Sequence, residues 1–451
     1  MRVSIFGVLL GVSFTCFNIV ANTYANELDP DHTSLLDIYQ KAVLTSPQLK
    51  SQEYDAQSSR EYANSQLGLA FPNITITASA QVNGGNYTGN ISGNYKEGNV
   101  GVVLNQALVN LGVFSGYKYS NQLALSSEAN YNQEQQAFIL QVAEAYFNIL
   151  EAEDQVQFSE TNLKASQSTL NQTRLLFKNG METESSLKQA EASYYQAIST
   201  LTNDNNSLKV SYYDLYSLTG VLYKNIAPLK ENLNFKMPKD KLDVWLKLAR
   251  KNNYGLIAQR YTMAANSSAI TAITSTFLPS LSLQASYGVT NYSGSNTLLN
   301  SAGVTSAHSK SAYVGLVLSW NILDGGVNYA QRKQAASTYE SSFYDTINQT
   351  RLLEEQTRND FNNLKAIIDQ IKALKQSVKA SKLSYEQFLE QYKVGTATIS
   401  DVLNQQNILF QSMTNLAKAR YSYINGVLQL KYDAGTISIK DIEYFNKWLI
   451  K

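Results

Sequence analysis

Residues 391–406 read QYKVGTATISDVLNQQ, in which Gly395 and Asp401 interrupt a long amphipathic helical pattern. The same arrangement occurs earlier as LFKNGMETESSLKQAE at 176–191. Working outward from this pair uncovers a duplication with ordered landmarks. LLDIYQKAVLTSPQL (35–49) recurs in DVWLKLARKNNYGL (243–256), FPNITITASAQV (71–82) in LPSLSLQASYGV (278–289), and NVGVVLNQALVNLGV (99–113) in YVGLVLSWNILDGGV (313–327). The spacing is about 207 residues for the first two landmarks and about 214 for the last two, so one insertion near the second strand pair accounts for the change.

Tyr117 to Asn179 and Val327 to Val394 contain neither Gly nor Pro, and at 1.5 Å per residue each would span on the order of 90 to 100 Å as a helix. In the first, Phe138, Val142, Ala145, Ile149 and Leu150 recur at three-and-four spacing, with charged residues on other faces, as side-by-side helix packing requires. Gly180 and Gly395 break the pattern, and second helices are expected from Thr183 to Leu218 and from Ile399 to Gln429. Each half therefore reads as a long helical hairpin with its tip at the glycine.

Period-two alternation is confined to four short places. Ile74, Ile76, Ala78, Ala80 and Val82 oppose Thr75, Thr77, Ser79 and Gln81. Leu281, Leu283, Ala285, Tyr287 and Val289 oppose Ser282, Gln284, Ser286 and Thr290. Partner strands are expected at about Val100–Ala107 and Tyr313–Asn321. One apolar and one hydroxyl or amide face over about 9–11 residues matches a barrel with lipid outside and water inside. Any one of them also matches a half-buried hairpin of a soluble domain. Four strands cannot enclose a lumen, because the smallest membrane barrels use about eight, so insertion requires oligomerisation.

The totals narrow the function. Of 451 residues, Lys+Arg number 37 and Asp+Glu 36, which leaves no basic field for nucleic acid. MRVSIFGVLLGVSFTCFNIVANTYA opens with Arg2, runs apolar from Val3 to Phe17 and ends with small residues at Thr23 and Ala25, the pattern of an export signal cut after Ala25. Cys16, the only cysteine, falls inside it, so no disulfide, zinc site or lipid anchor is expected in the mature chain. No later stretch approaches 18 consecutive apolar residues, so strands, not helices, are expected to cross the bilayer. His32 and His308, the only histidines, have no neighbouring catalytic motif, which leaves an exported enzyme as the weaker alternative. A passive porin is the other.

The export signal, the duplicated strand pair plus helical hairpin, Pro72 and Pro279 before the strands, VGTATISDVL and NILDGGV together resemble the TolC family of outer-membrane efflux channels over nearly the whole mature chain. The resemblance implies an α+β membrane protein of the Gram-negative outer membrane. It would be a homotrimer whose four strands per chain form one 12-stranded β-barrel, set in outer-membrane lipid and continued by a long α-helical periplasmic barrel. It implies an exit duct in tripartite efflux or type I secretion, working with a periplasmic adaptor protein and an inner-membrane pump of the RND or ABC type, without a cofactor. The expected segments are a signal peptide at 1–25, N-terminal periplasmic helices at 26–70, a first strand pair at 71–110 and a first hairpin at 111–219. An inter-repeat segment with the first helices of the second repeat follows at 220–277, then a second strand pair at 278–323, a second hairpin at 324–430 and a C-terminal periplasmic segment at 431–451.

By the same resemblance Tyr392 matches a gating tyrosine and Asp401 an acidic pore position. Ala397 stands where related channels carry an arginine, Asn404 where they carry a second aspartate, and Ser186 where they carry the arginine's partner. A salt-linked latch is therefore not expected, and closure falls to apolar packing and hydrogen bonds. Gly180, Gly395, Met181 and Thr396 mark the tips where an adaptor would dock. Asp401 keeps two readings: a favourable helix-start charge, or one of three carboxylates around a pore axis.

Overall fold

The computed structural model describes residues 33–87, 91–231, 233–294 and 306–450. The expected export signal with its Cys16, and His32 after it, lie outside the described residues.

After α1 (Leu35–Thr45) and α2 (Pro47–Gly68) come β1 (Asn73–Tyr87) and β2 (Ile91–Val109), then α3 (Leu111–Lys178) and α4 (Glu184–Thr219). The pattern repeats as α5 (Leu242–Asn252), α6 (Tyr254–Thr274), β3 (Ser280–Gly294), β4 (Ser306–Ser319), α7 (Val327–Lys393) and α8 (Ile399–Asp433), and α9 (Ile439–Asn446) closes the chain. The duplication in the sequence is thus a duplication of structure. Among the described residues no helix is long and apolar enough to cross a membrane.

The helices form one layer in two tiers. α3 and α7 run through both. α2 and α6 complete the upper tier in the order α2–α3–α6–α7, and α4 and α8 complete the lower in the order α4–α3–α8–α7. A belt of large apolar side chains lies where the tiers meet, including Phe138, Tyr146, Phe147, Leu428, Ile442 and Phe445. Away from the belt the helix contacts are lined by Ser120, Ser159, Ser166, Thr173, Thr357 and Ser381, all buried. Small side chains let helix axes approach, and several of these hydroxyls meet their hydrogen-bonding requirement within their own helix. Ser120 Oγ donates to Gly116 O at 3.0 Å, and Thr357 Oγ1 to Leu353 O at 2.8 Å. The mean polarity that excluded membrane helices is therefore compatible with close packing.

The outer members of the layer are unpartnered. α7 leaves Phe343, Tyr344, Leu352 and Leu383 exposed, and α4 leaves Tyr195, Val210, Tyr213 and Tyr216 exposed.

The four strands form one antiparallel sheet, β1–β2–β3–β4, with β1 and β4 as edges. Two differences from the sequence reading have physical causes. β2 and β4 begin at Ile91 and Ser306, well before the expected starts, because Gly93, Gly98 and polar residues blur the alternation at the loop end. β4 stops at Ser319 rather than Asn321, since its next partner would be Pro279, which has no N–H to give. Trp320 instead donates its Nε1–H to Phe277 O at 3.1 Å. α3 begins at Leu111, where Asn110 Oδ1 caps the N–H groups of Gly112 and Val113 at 3.0 and 3.3 Å.

A candidate pore entrance at the helical tips

The two hairpins end in the same turn, built from the same backbone bonds. Gly180 and Gly395 have φ of +70° and +80°, the left-handed region that glycine occupies without a Cβ penalty. Met181 N–H donates to Leu176 O and Thr396 N–H to Gln391 O, both at 2.9 Å. Gly180 N–H donates to Phe177 O at 3.0 Å and Gly395 N–H to Tyr392 O at 3.1 Å. These are paired Schellman closures, which satisfy the last carbonyls of α3 and α7. Met181, 73% exposed, and Thr396 sit at the outer surface of the turns.

Each following helix starts with threonine as its cap. Thr183 Oγ1 accepts from Ser186 N–H at 3.1 Å, and Thr398 Oγ1 accepts from Asp401 N–H at 3.3 Å. In the second repeat Asp401 returns the bond, accepting from Thr398 N–H at 2.9 Å and Thr398 Oγ1 at 2.6 Å. The Thr398 hydroxyl, and secondarily its N–H, hold the Asp401 carboxyl below the usual carboxylate range. Asp401 is therefore ionised at neutral pH and fixed at a helix N-terminus. Ser186 occupies the corresponding third position of α4 and bonds only within its own cap, its Oγ lying 3.0 Å from Thr183 Oγ1.

Tyr392 faces inward. It is buried in a small cluster with Leu170, Ala190, Ile399 and Val402, separate from the belt and joining the two hairpins at their tips. Its Oη lies 2.9 Å from Thr173 Oγ1 on α3. Burial, with the Glu182 carboxylate beside it, pushes the phenol up to about 12. A second link between the tips runs from Ser400 Oγ to Gln189 Oε1 at 2.9 Å. Of the predicted tip residues, Tyr392 joins α7 to the first hairpin, whereas Asp401 and Ser186 each serve their own cap. Asn404 is exposed, and Ala397 donates its N–H to Gln391 O at 3.3 Å. Among the described residues no ion pair or hydrogen bond joins Ser186 to Ala397, or Asp401 to Tyr392.

The sequence reading did not single out Thr173 and Glu182, the residues around the Tyr392 hydroxyl. A usable signal was present, since aligning 176–191 with 391–406 sets Glu182 against Ala397. Pro72 and Pro279 each immediately precede a strand, at the passage from helix layer to sheet.

The family model described as outer membrane efflux protein matches residues 38–221 and 245–436. The outer membrane protein TolC of Salmonella enteritidis is 28% identical over 98% of this chain and 88% of its own length. The alkaline protease secretion protein AprF of Pseudomonas aeruginosa is 25% identical over 91% of this chain and 86% of its own. Among solved structures, the Campylobacter jejuni CmeC outer membrane channel superposes with a TM-score of 0.78 at 19% identity, covering 95% of each chain. With the duplicated hairpins, the open four-stranded sheet and these matches together, the chain belongs to the outer membrane efflux protein family.

Proposed function

We propose that this chain is one third of an outer-membrane exit duct that passes substrates from an inner-membrane pump across the periplasm and the outer membrane. The observation that carries the reading is a shared incompleteness. The sheet has open edges at β1 and β4, and the helical layer ends in α4 and α7 with aromatic and aliphatic side chains bare. Open strand edges are not tolerated in hydrocarbon, and exposed apolar helix faces seek partners. A ring of copies satisfies both at once, by pairing β4 with the next copy's β1 and packing α7 against the next copy's α4. Three copies give twelve strands, enough for an aqueous lumen.

The slope of the sheet agrees with closure. The hydrogen-bonded row through Asn73, Asn105, Gln284 and Gly315 reaches β4 four residues short of its helical end at Ser319. Four residues over three strand spacings correspond to a tilt of roughly 40°, within the range of membrane barrels.

In this reading the tips are the periplasmic entrance. Tyr392, in its cluster, holds the two hairpins of a protomer together. Asp401 and Asn404, with Ala397 and Ser186, lie near the mouth, where three-fold symmetry would set three Asp401 carboxylates around the axis. Gly180, Met181, Gly395 and Thr396 form the surface for a periplasmic adaptor that links the duct to an RND or ABC pump. The family's description as an efflux protein and the relative named for alkaline protease secretion support efflux and type I secretion as the modes of such a duct. Its role is passage rather than chemistry.

The test is single-channel recording in planar lipid with the oligomer counted by native mass spectrometry. Discrete conductance from a particle of three chains is expected. A conducting or lipid-inserted monomer would overturn the proposal.

A further inference from the structure

Charge in the four strands is sorted by face. Their only Lys, Arg, Asp or Glu residues are Lys96, Glu97 and Lys310. Register sets Lys96 opposite Val82 and Lys310 opposite Val289, on the face that carries the exposed Ile74, Ile76, Val314 and Leu316. His308 lies two residues from Lys310 on that face. Glu97 points to the other face, where its Oε2 accepts from Gln81 Nε2 at 2.7 Å and Asn83 Nδ2 at 3.3 Å. Both strand cations thus stand on the side that faces lipid in the proposed barrel, and the anion stands on the lumen side.

Their height is informative. Lys96 pairs with a residue nine positions above Asn73, the helical end of β1, and Lys310 lies nine positions above Ser319, the helical end of β4. With the tilt included, the two reach nearly the same level, roughly 25 Å above the helical end, which is the height of the apolar band of a membrane barrel. The row through Lys96 meets β4 at Ser306, four residues from Lys310, so two strand spacings and four residues set the two Cα atoms roughly 17 Å apart, within reach of two long side chains. The loops lie beyond them and the helices on the opposite side. With the helices in the periplasm, this level is the headgroup region of the outer leaflet. A lysine at midplane on a lipid face is strongly unfavourable, whereas at the rim the cost is small and the flexible stem lets the ammonium reach the headgroups.

We propose that Lys96 and Lys310, with His308 beside them, bind the phosphates of an outer-leaflet glycolipid, one bis-phosphorylated disaccharide headgroup per protomer. Two cations at one level, separated along the rim, suit a rigid headgroup with a phosphate at each end, and lysine is an effective point-charge partner for phosphate. Zwitterionic headgroups offer no comparable net charge. The site rests on the barrel reading above.

The experiment uses the purified full-length oligomer in nanodiscs of zwitterionic lipid, titrated with bis-phosphorylated lipid A and read by native mass spectrometry. The wild type is expected to take up to three copies per trimer, and Lys96→Gln with Lys310→Gln to bind roughly thirtyfold more weakly, from two membrane-surface lysines. Lipid A stripped of phosphate and phosphatidylglycerol provide the comparison arms. Unchanged affinity in the double variant would overturn the site. So would equal binding of the dephosphorylated lipid, or equal binding of phosphatidylglycerol, which would reduce the effect to general charge attraction. Chain count and conductance are measured on both proteins before lipid is added, so failure of the duct reading is seen separately. Lys310→Gln alone, expected to give an intermediate loss, serves if the double variant does not assemble.

Discussion

Asp401 shows how one side chain meets two demands. As the third residue of α8 it completes a capping box with Thr398, a local role that its distance from Gly395 already suggested. In a three-fold ring the same carboxylate would repel its copies while attracting cations, and its lowered pKa keeps that charge in place at neutral pH. Asp401→Asn separates the roles better than alanine, because an amide oxygen still accepts the cap bonds. Reversal potentials under a salt gradient should show reduced cation preference with little loss of assembly. An unchanged preference would leave Asp401 as a cap alone. A second acidic residue was not anticipated from the sequence. Asp433, 4% exposed, accepts from Gln429 Nε2 at 2.9 Å, while its Oδ2 has no donor and the Asp360 carboxylate stands beside it. Two acceptors cannot bond without a proton, and burial, followed by Asp360, holds the Asp433 carboxyl far above the usual range. The folded chain therefore binds this proton more tightly than the unfolded chain. Its contribution to stability is full at acid pH and is lost as pH rises from the ordinary carboxylate range through the raised pKa. Thermal unfolding of Asp433→Asn should depend less steeply on pH than wild type, with its largest relative gain at alkaline pH. Parallel pH profiles for the two proteins would refute the shared-proton account.

At the scale of elements, the two long hairpins were legible because glycine and proline are absent from so many consecutive positions, and their tips because Gly180 and Gly395 recur at corresponding places. The Schellman turns give those glycines a testable weight. Gly395→Ala places a Cβ in the left-handed region and should cost about 1–2 kcal/mol at that tip. Increased protease cleavage near residue 395 should report it, and unchanged cleavage would mean that the turn tolerates another conformation. The strand cores were legible where Ile and Val alternate with Thr and Ser. Their loop ends were not, since glycine and asparagine carry no facial signal. The Tyr392 contact with Thr173 was not legible either. It joins residues far apart in the chain, and periodicity within one helix says nothing about which helix lies opposite. The break at Gly435 has a similar cause. Its φ is +64°, and an added Cβ would collide with the Asn252 carbonyl, a close approach that no local pattern announces.

At the scale of the molecule, the sequence offered no apolar run long enough for a membrane helix beyond the export signal and no basic field for nucleic acid, and its strand count called for partners. The structure adds two unsatisfied outer edges of one layer, α4 with β1 and β4 with α7, where the proposed copies would join. Closure through those edges is the central claim. Tyr195 and Leu383 are exposed on α4 and α7 at similar distances from their tips, 15 residues from Gly180 and 12 from Gly395. The only cysteine lies within the expected export signal, so Tyr195→Cys with Leu383→Cys provides a matched pair on opposite edges. The measurement is denaturing electrophoresis of that variant after treatment in membranes with bis-maleimides of graded length. The account predicts covalent dimers and trimers and nothing larger. A ladder that continues beyond three, or monomers at every linker length, would contradict it.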